Sequence, residues 1–294
     1  MRDLSRDNRF LSINIATVRE QWNLRQAIEG IARAGIPALS VWRDKLAELG
    51  LKEARRLIKS HGLRVSGLCR GGLFTGKGRG GLAEALQDNR RAVDEAAELE
   101  AACLVLIAGG LVPGSRDIAE ARRIVGEGLA ELLPYARAAG VPLAIEPLHP
   151  MYAADRACIN TLAEANDLCD ALGEGIGLAL DVYHVWWDPN LAAEIARAGR
   201  AGGTGRAGGT GRAGRTGRIL GFHLCDWLVP TTDLLLDRGM MGDGVIDIRG
   251  IRGLVEAAGY DGFCEVEIFS KENWWKRPPE EVLATAAERY RTVC

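Results

Sequence analysis

The sequence predicts a single (β/α)8 TIM barrel, and two regularities along the chain indicate this fold class. Short β-branched and aliphatic runs alternate with longer Ala-, Leu-, Glu- and Arg-rich stretches of helical period, which is typical of repeated βα units. Eight such runs occur in 294 residues, and eight parallel βα units close into a barrel. An open doubly wound sheet would usually need fewer strands and a glycine fingerprint after the first one, which FLSINIATVREQWNL lacks. We therefore predict one barrel over residues 1–294, interrupted by a single insertion.

The predicted strands follow one another at the spacing expected for βα units. In order, they are FLSINIAT, ALSVW, RVSGLC, CLVLIAGG, VPLAIEP, IGLALDVYH, ILGFHLCDW and GFCEVEIFS. Each run precedes a polar or Gly-rich loop, and most of these loops lead into a stretch of helical period. The clearest predicted helices are 24–34, 82–100 and 118–139.

Composition and charge favour a small-molecule partner. The 47% hydrophobic share supports a sizeable core, and the net charge of −2 argues against a general affinity for nucleic acid or anionic membranes. The charged start MRDLSRDNRF and the shortness of apolar runs such as ACLVLIAGG predict a cytoplasmic protein. Seven cysteines occur without a C-x-x-C pair, so we expect reduced, structural thiols. These features leave a homo-oligomer open.

Residues 199–216 depart from this pattern because they repeat a hexamer, reading GRAGGT, GRAGGT and GRAGRT. The segment has no apolar side chain larger than Ala, so it cannot offset its ordering entropy by burial. We interpret it as a low-complexity insertion in a surface loop before the seventh strand; an Arg-bearing lid or nucleic-acid tail is the disfavoured alternative. The 42 positions between Asp181 and His223 fall to 24, an ordinary spacing, without the 18 repeat residues.

The glycine-rich segment GGLFTGKGRGG at 71–81 nearly matches a phosphate-binding P-loop. Gly78 stands where that motif needs a hydroxyl side chain for Mg²⁺, so nucleotide hydrolysis is rejected. We predict instead a flap over the barrel mouth, with Arg70 or Lys77 as candidates for contacting a substrate phosphate.

Four consecutive predicted strands each end with a residue of a type that binds metal. They are Glu146 in LAIEPLHP, Asp181 in LALDVYHVWW, His223 in GFHLCDW and Glu267 in CEVEIFS. The C-terminal strand ends form the active face of such a barrel, and clustered buried charges are costly unless a cation neutralises them. Three carboxylates and one imidazole favour Mn²⁺ or Mg²⁺, and Zn²⁺, Co²⁺ or Fe²⁺ also fit. We predict one divalent metal ion.

These motifs resemble the xylose isomerase-like TIM barrel family of sugar phosphate isomerases and epimerases. The resemblance spans nearly the whole chain outside the repeats and is carried by IEPLHP, LDVYH, FHLCD, DRGMMGDGVIDI and VEIF. It implies that the four residues above hold one divalent cation and that His184 and Arg238 contact substrate oxygens. It also implies that Glu146 and Glu267 serve as catalytic acid and base.

Further side chains near strand ends are candidates for lining the substrate site, each with an ordinary structural alternative. His149 follows Glu146 by three residues, although a loop histidine is usually solvated. Aromatic side chains at these positions could wall a sugar ring or simply pack. We include Trp42, Phe74 and Trp186. Glu265 shares the inward parity of Glu267 two residues deeper, where we expect it to pair with a polar group inside the barrel.

The predicted site suits proton transfer at a carbon next to a carbonyl. Returning the proton epimerises or isomerises the substrate, which favours an isomerase or epimerase of a sugar, keto-sugar or keto-inositol. Losing a β-hydroxyl instead would make the protein a lyase or dehydratase of a cyclic keto-polyol or 3-keto sugar. A carbohydrate-binding scaffold would not need the metal ligands, and a DNA-repair endonuclease with three zinc ions would need more than four histidines.

Overall fold

Eight parallel strands close into a barrel in the computed structural model, which describes residues 1–76, 81–200 and 217–294. They are β1 (Leu11–Asn14), β2 (Ala38–Trp42), β3 (Arg64–Gly72), β4 (Leu104–Ile107), β5 (Leu143–Ile145), β6 (Ile176–Asp181), β7 (Ile219–Leu224) and β10 (Cys264–Val266). Strands β8 (Asp226–Trp227) and β9 (Arg238–Gly239) form a small antiparallel pair outside the barrel. The order around the barrel is β1-β10-β7-β6-β5-β4-β3-β2, which confirms the predicted (β/α)8 TIM barrel.

Helices connect the strands. They are α1 (Leu24–Arg33), α2 (Arg43–Leu49), α3 (Leu51–Ser60), α4 (Gly81–Glu98), α5 (Ile118–Ala138), α6 (Leu162–Leu172), α7 (Val182–Val185), α8 (Leu191–Arg200), α9 (Ile248–Ala257) and α10 (Pro279–Thr292). Capping boxes start α1, through Asn23 and Gln26, and α6, through Thr161 and Glu164. The three predicted helices are confirmed, with ends that differ by two residues or fewer.

The strands separate two cores because successive side chains point to opposite faces of the sheet. The outward residues, such as Leu104, Leu143 and Leu178, pack under the helices. A smaller cluster fills part of the barrel interior with Cys69, Cys103, Val105, Ala144 and Ala179. All seven cysteines are free and buried, as predicted. Small side chains in this interior leave room for the polar groups that support the site above them.

Two sequence features extend beyond the described residues. Gly199 and Arg200 are the last residues of α8, while the remainder of the predicted insertion, 201–216, lies outside them. The first two residues of the predicted flap belong to β3, which ends at Gly72. Residues 77–80, including the candidate Lys77, lie outside the described residues. No helix in the described part of the chain is long and apolar enough to cross a membrane.

Candidate metal centre

The four predicted metal ligands meet at one mouth of the barrel. Asp181 ends β6 and pairs in register with His223 of β7, while Glu146 and Glu267 directly follow β5 and β10. These four strands are consecutive neighbours around the barrel. All four side chains are buried, and one ligand atom from each lies within 4.8 Å of the other three. This arrangement can hold a single metal ion.

The imidazole of His223 has one nitrogen toward the ligand cluster and one toward the barrel interior. Nδ1 lies 2.9 Å from Oε1 of Glu146 and 3.9 Å from Oε2 of Glu267. Nε2 lies 3.6 Å from Oε1 of Glu265. Burial opposes the charged ring, but Glu265, Glu146 and Glu267 together raise the pKa of His223 well above its ordinary value. Nδ1 is therefore the nitrogen placed to bind a metal ion, and Glu265 lies beside the other nitrogen.

Asp181 uses its two oxygens for different partners. Oδ1 accepts a hydrogen bond from the amide of Tyr183 and so caps α7. Oδ2 accepts from Nη1 of Arg238 at 2.8 Å. Burial alone would raise the pKa of this carboxyl, but the charges of Arg238 and His223 and the Tyr183 amide hold it below its usual value. Asp181 thus remains a carboxylate.

In contrast to Asp181, Glu146 and Glu267 have pKa values above their ordinary value. Burial raises the pKa of Glu146, and burial together with the charge of Glu146 raises the pKa of Glu267 to about 8. A cation bound among these carboxylates would favour their ionised forms and remove the mutual repulsion. The donor set, three carboxylates and one imidazole, therefore fits a divalent metal ion.

Arg238 and His184 lie at the edge of the site, where Arg238 carries a positive charge and His184 is neutral. The guanidinium lies between the rings of Tyr183 and Phe269, at 4.4 and 5.0 Å from their centroids, and its Nε has no hydrogen-bond partner among the described residues. Nδ1 of His184 accepts from the amide of His149 at 3.2 Å, and Nε2 lies 3.2 Å from Nη2 of Arg238. Burial lowers the pKa of His184 to about 3, so its imidazole is neutral.

A cavity of 590 Å³ opens onto this cluster, a size suited to a small molecule. Glu146, Glu267, His184 and Arg238 line it, as does the predicted aromatic wall residue Trp42. The Trp42 indole donates through Nε1 to Oδ1 of Asn14 at 2.7 Å, which fixes its ring beside the cavity. The cavity wall also contains Leu148, Tyr152, Phe269 and Trp275.

The prediction that Phe74 lines the substrate site is wrong. Gly72 has φ +98°, and a Cβ there would lie 2.0 Å from the Ile107 carbonyl oxygen, so the chain turns tightly at this glycine. After the turn Phe74 is fully buried against α5, where a Cβ on Gly128 would lie 2.4 Å from its ring. The side chain therefore belongs to the outer core and is absent from the cavity wall.

Two further candidates, Trp186 and His149, also lie outside the cavity wall. The Trp186 ring packs against Trp227, with centroids 5.6 Å apart. The His149 ring lies 5.1 Å from Trp227, and its Nδ1 accepts from the amide of Met151. Both rings pack around Trp227, which is the packing alternative given for Trp186, whereas His149 is packed where its alternative had it solvated.

Asn14 is a functional neighbour that the sequence reasoning missed. Its Nδ2 donates to Oε1 of Glu265 at 2.9 Å and to Oε1 of Glu267 at 2.8 Å. Ser66 donates to the other oxygen of Glu265 at 2.7 Å, so Glu265 pairs inside the barrel as expected. Its position in the sequence could have identified it, because Asn14 ends β1 at the same depth in the barrel at which the four predicted ligands end their strands.

Comparisons with known proteins agree with this fold. Residues 28–293 match the family described as xylose isomerase-like TIM barrel. A crystal structure of a protein from Sinorhizobium meliloti 1021 is 58% identical, covers 98% of this chain and 99% of its own, and has a TM-score of 0.91. The inosose isomerase of Halalkalibacterium halodurans is 23% identical over 288 residues, which cover 95% of this chain and 94% of that protein. The crystal structure of the IOLI protein with a bound zinc atom is 21% identical, covers 95% of each chain and has a TM-score of 0.77.

Proposed function

The chain belongs to the xylose isomerase-like TIM barrel family, and from this membership we propose that it is a metal-dependent isomerase or epimerase of a sugar, keto-sugar or keto-inositol. The observation that carries the proposal is the cluster of four buried ligand atoms within 4.8 Å of one another, which includes two glutamates. A purely structural ion pair would not need three carboxylates in one buried place. The similarity to an inosose isomerase supports keto-inositols among the candidate substrates.

Glu146, Asp181, His223 and Glu267 would hold one divalent ion. Their oxygen-rich donor set favours Mn²⁺ or Mg²⁺, although Zn²⁺, Co²⁺ or Fe²⁺ also fit, and the IOLI protein was solved with zinc. Such an ion supplies Lewis acidity to a carbonyl and its neighbouring hydroxyl, which stabilises the negative charge that develops when the adjacent carbon loses a proton.

The two glutamates are the proposed acid and base. Glu146 follows β5 and Glu267 follows β10, and two strands lie between these in the barrel. A substrate between the two carboxylates would present one face of its acidic carbon to each. Proton return from the opposite face gives epimerisation, and return to the neighbouring carbon gives isomerisation.

His184 and Arg238 would bind substrate oxygens, with Trp42 as an apolar wall. Nδ1 of the neutral His184 ring accepts from the His149 amide, so Nε2 is the nitrogen left for a substrate oxygen. Arg238 provides a fixed donor whose charge is partly balanced by Asp181. The position of the Arg238 guanidinium over the rings of Tyr183 and Phe269 restricts it and so limits the entropy lost on binding.

The test compares Glu146→Gln with Glu267→Gln at saturating metal in deuterated water, over a panel of ketoses, keto-inositols and 3-keto sugars. Each change keeps the side-chain shape but removes the basic carboxylate, so turnover should fall roughly 10²- to 10⁴-fold. For an epimerase, one variant should still exchange the substrate proton with solvent while forming little product, and the other should do so only with the opposite epimer.

Metal content measured on the same samples separates loss of the ion from loss of the base. Full turnover by both metal-loaded variants would contradict the assigned roles. Elimination products from the wild-type protein would favour the lyase or dehydratase alternative on the same site.

A further inference from the structure

Two arginines in the cavity wall, Arg70 and Arg156, have no carboxylate partner among residues 1–76, 81–200 and 217–294. Other arginines of the same wall are paired: Arg19 with Asp44, Arg43 with Asp88 and Glu95, and Arg238 with Asp181. The sequence stretches 77–80 and 201–216 contain no acidic residue either. The cavity thus presents two guanidinium groups that form no salt bridge with the described residues, on the wall that also carries Glu146 and Glu267.

The local backbone explains why Arg70 reaches the cavity. Along β3, Cys69 pairs with Val105 and Gly71 pairs with Leu106, so Arg70 is the additional residue of a bulge. A bulge re-aims a side chain relative to the regular alternation of a strand. Arg70 is half-buried, and its guanidinium lies 5.9 Å from the ring of Trp42, beside the proposed sugar-binding wall.

Arg156 comes from a different loop and is held by its own backbone. Its amide donates to the Tyr152 carbonyl at 3.0 Å, and its carbonyl accepts from the Gly109 amide at 3.1 Å. Its guanidinium lies 5.5 Å from the Tyr152 ring. Burial and the positive charge of Arg156 lower the pKa of Arg70 by more than the negative charges of Asp44 and Glu146 raise it, which is consistent with two cations on one side of the cavity. Half-buried like charges repel unless an anion lies between them.

We propose that Arg70 and Arg156 bind a phosphate monoester group of the substrate, which makes the substrate a phosphorylated ketose or keto-cyclitol. This inference rests on the proposed function, because the carbonyl end of the same molecule would lie at the metal ligands. A phosphate dianion matches two guanidinium groups in charge and accepts paired hydrogen bonds from each, whereas a carboxylate is satisfied by one. The 590 Å³ cavity accommodates a molecule of this size.

The experiment uses the metal-loaded protein and matched substrates that carry a terminal hydroxyl, phosphate or carboxylate. The wild type should use the phosphate ester at least about tenfold better in kcat/KM than the hydroxyl compound. Arg70→Met and Arg156→Met each keep an unbranched side chain but remove the charge. We expect each variant to raise KM for the phosphate ester roughly 10- to 100-fold, with a smaller effect on kcat. The preference over the hydroxyl compound should fall accordingly.

Arg19→Met is the matched control, because it removes the same charge from the same wall where Asp44 already compensates it. Its preference ratio should stay within about threefold of the wild type. A wild type that prefers the hydroxyl or carboxylate substrate, or a ratio that is unchanged in both Arg70→Met and Arg156→Met, would overturn the phosphate assignment while leaving the proposed function intact.

Binding of inorganic phosphate, measured by calorimetry on chelator-treated protein, tests the two arginines without relying on turnover. Binding that is weakened at least tenfold in both variants, but not in Arg19→Met, supports the inference even if no sugar on the panel reacts. The absence of phosphate binding in the wild type overturns it. Failure of every substrate with intact phosphate binding would count against the proposed function alone.

Discussion

At the scale of single residues, the site depends on side chains whose two polar atoms have separate partners. Asp181 caps α7 with one oxygen and pairs with Arg238 through the other. Asn14 donates from Nδ2 to Glu265 and Glu267, while its Oδ1 accepts from Trp42. His223 has the ligand cluster on Nδ1 and Glu265 on Nε2. Each ligand is therefore oriented before any ion binds, which reduces the ordering cost of binding.

Glu265 lies outside the ligand set but beside His223, so we predict that it positions this ligand. Glu265→Gln should weaken metal binding roughly 10- to 100-fold, since it removes the negative charge that lies 3.6 Å from Nε2 of His223. The expected reason is misorientation and lower basicity of the imidazole, with the ligand set complete. Competition between the protein and a metal-sensitive chelator dye measures the affinity.

His223→Ala serves as the comparison for this prediction. It removes a ligand and should reduce metal content at least as far as Glu265→Gln, while circular dichroism shows a folded barrel in both. Raised metal concentration should restore activity of Glu265→Gln more completely than that of His223→Ala. Wild-type affinity in Glu265→Gln would show that His223 does not depend on Glu265.

At the scale of elements, the sequence was sufficient to predict the strands, which appear as apolar runs, and the residues at the strand ends. Apolar runs located the eight strands, and the barrel rule that strand ends share one face then placed Glu146, Asp181, His223 and Glu267 together. Arg238 lies in β9, within the segment that follows the seventh barrel strand, where the sequence motif DRGMMGDGVIDI is located.

Local backbone geometry and long-range contacts were beyond the sequence. The turn at Gly72 moves Phe74 from the mouth to the outer core, a rotation that no periodicity reports. Arg156 reaches the cavity because its loop pairs with Gly109, and Arg70 because β3 has a bulge relative to β4. Both contacts depend on neighbours distant in the chain. The sequence indicated Arg70 only through its position before the glycine-rich segment, and it did not reveal Arg156.

The insertion before β7 gives a prediction about elements. The amide of Arg218 donates to the carbonyl of Ala198 at 3.1 Å, and a Cβ on Gly217 would lie 3.6 Å from the Cα of Gly199. The chain therefore leaves α8 and returns at neighbouring positions. Deleting residues 201–216 should preserve the fold and turnover, and stability should change by no more than about 1–2 kcal/mol because loop entropy varies slowly with length.

Urea unfolding and steady-state kinetics of this deletion measure the two effects. Deletion of 205–210 alone, one hexamer, is the matched control and should resemble the wild type still more closely. A fall in turnover of tenfold or more in the long deletion, with the short one unaffected, would show that the repeats contribute to the site and are more than a tolerated insertion.

At the scale of the whole molecule, the barrel places its charge cluster where the surrounding core strengthens electrostatic effects, so metal, protons and stability are coupled. Burial and Glu146 raise the pKa of Glu267 from 4.5 to about 8, and that of His223 is raised well above 6.5. Without metal, the folded protein thus retains protons that the unfolded chain releases. Stability contributed by these protons is present at low pH and is lost as the pH rises through the folded-state values.

We therefore predict that the melting temperature of the chelator-treated protein falls by several degrees between pH 6.5 and pH 8, corresponding to about 2 kcal/mol for each retained proton. The lowered pKa values of His149 and His184 act below 6.5, outside this window. Metal binding requires the deprotonated ligands, so the increase in melting temperature produced by excess Mn²⁺ should be larger at pH 8 than at pH 6.5. Calorimetry with and without Mn²⁺ measures both trends.

In Glu267→Gln the decline in melting temperature of the metal-free protein should be shallower, because one titrating group is gone. A melting temperature that stays level or rises over this interval in the metal-free wild type would show that neither Glu267 nor His223 retains a proton that the unfolded chain releases.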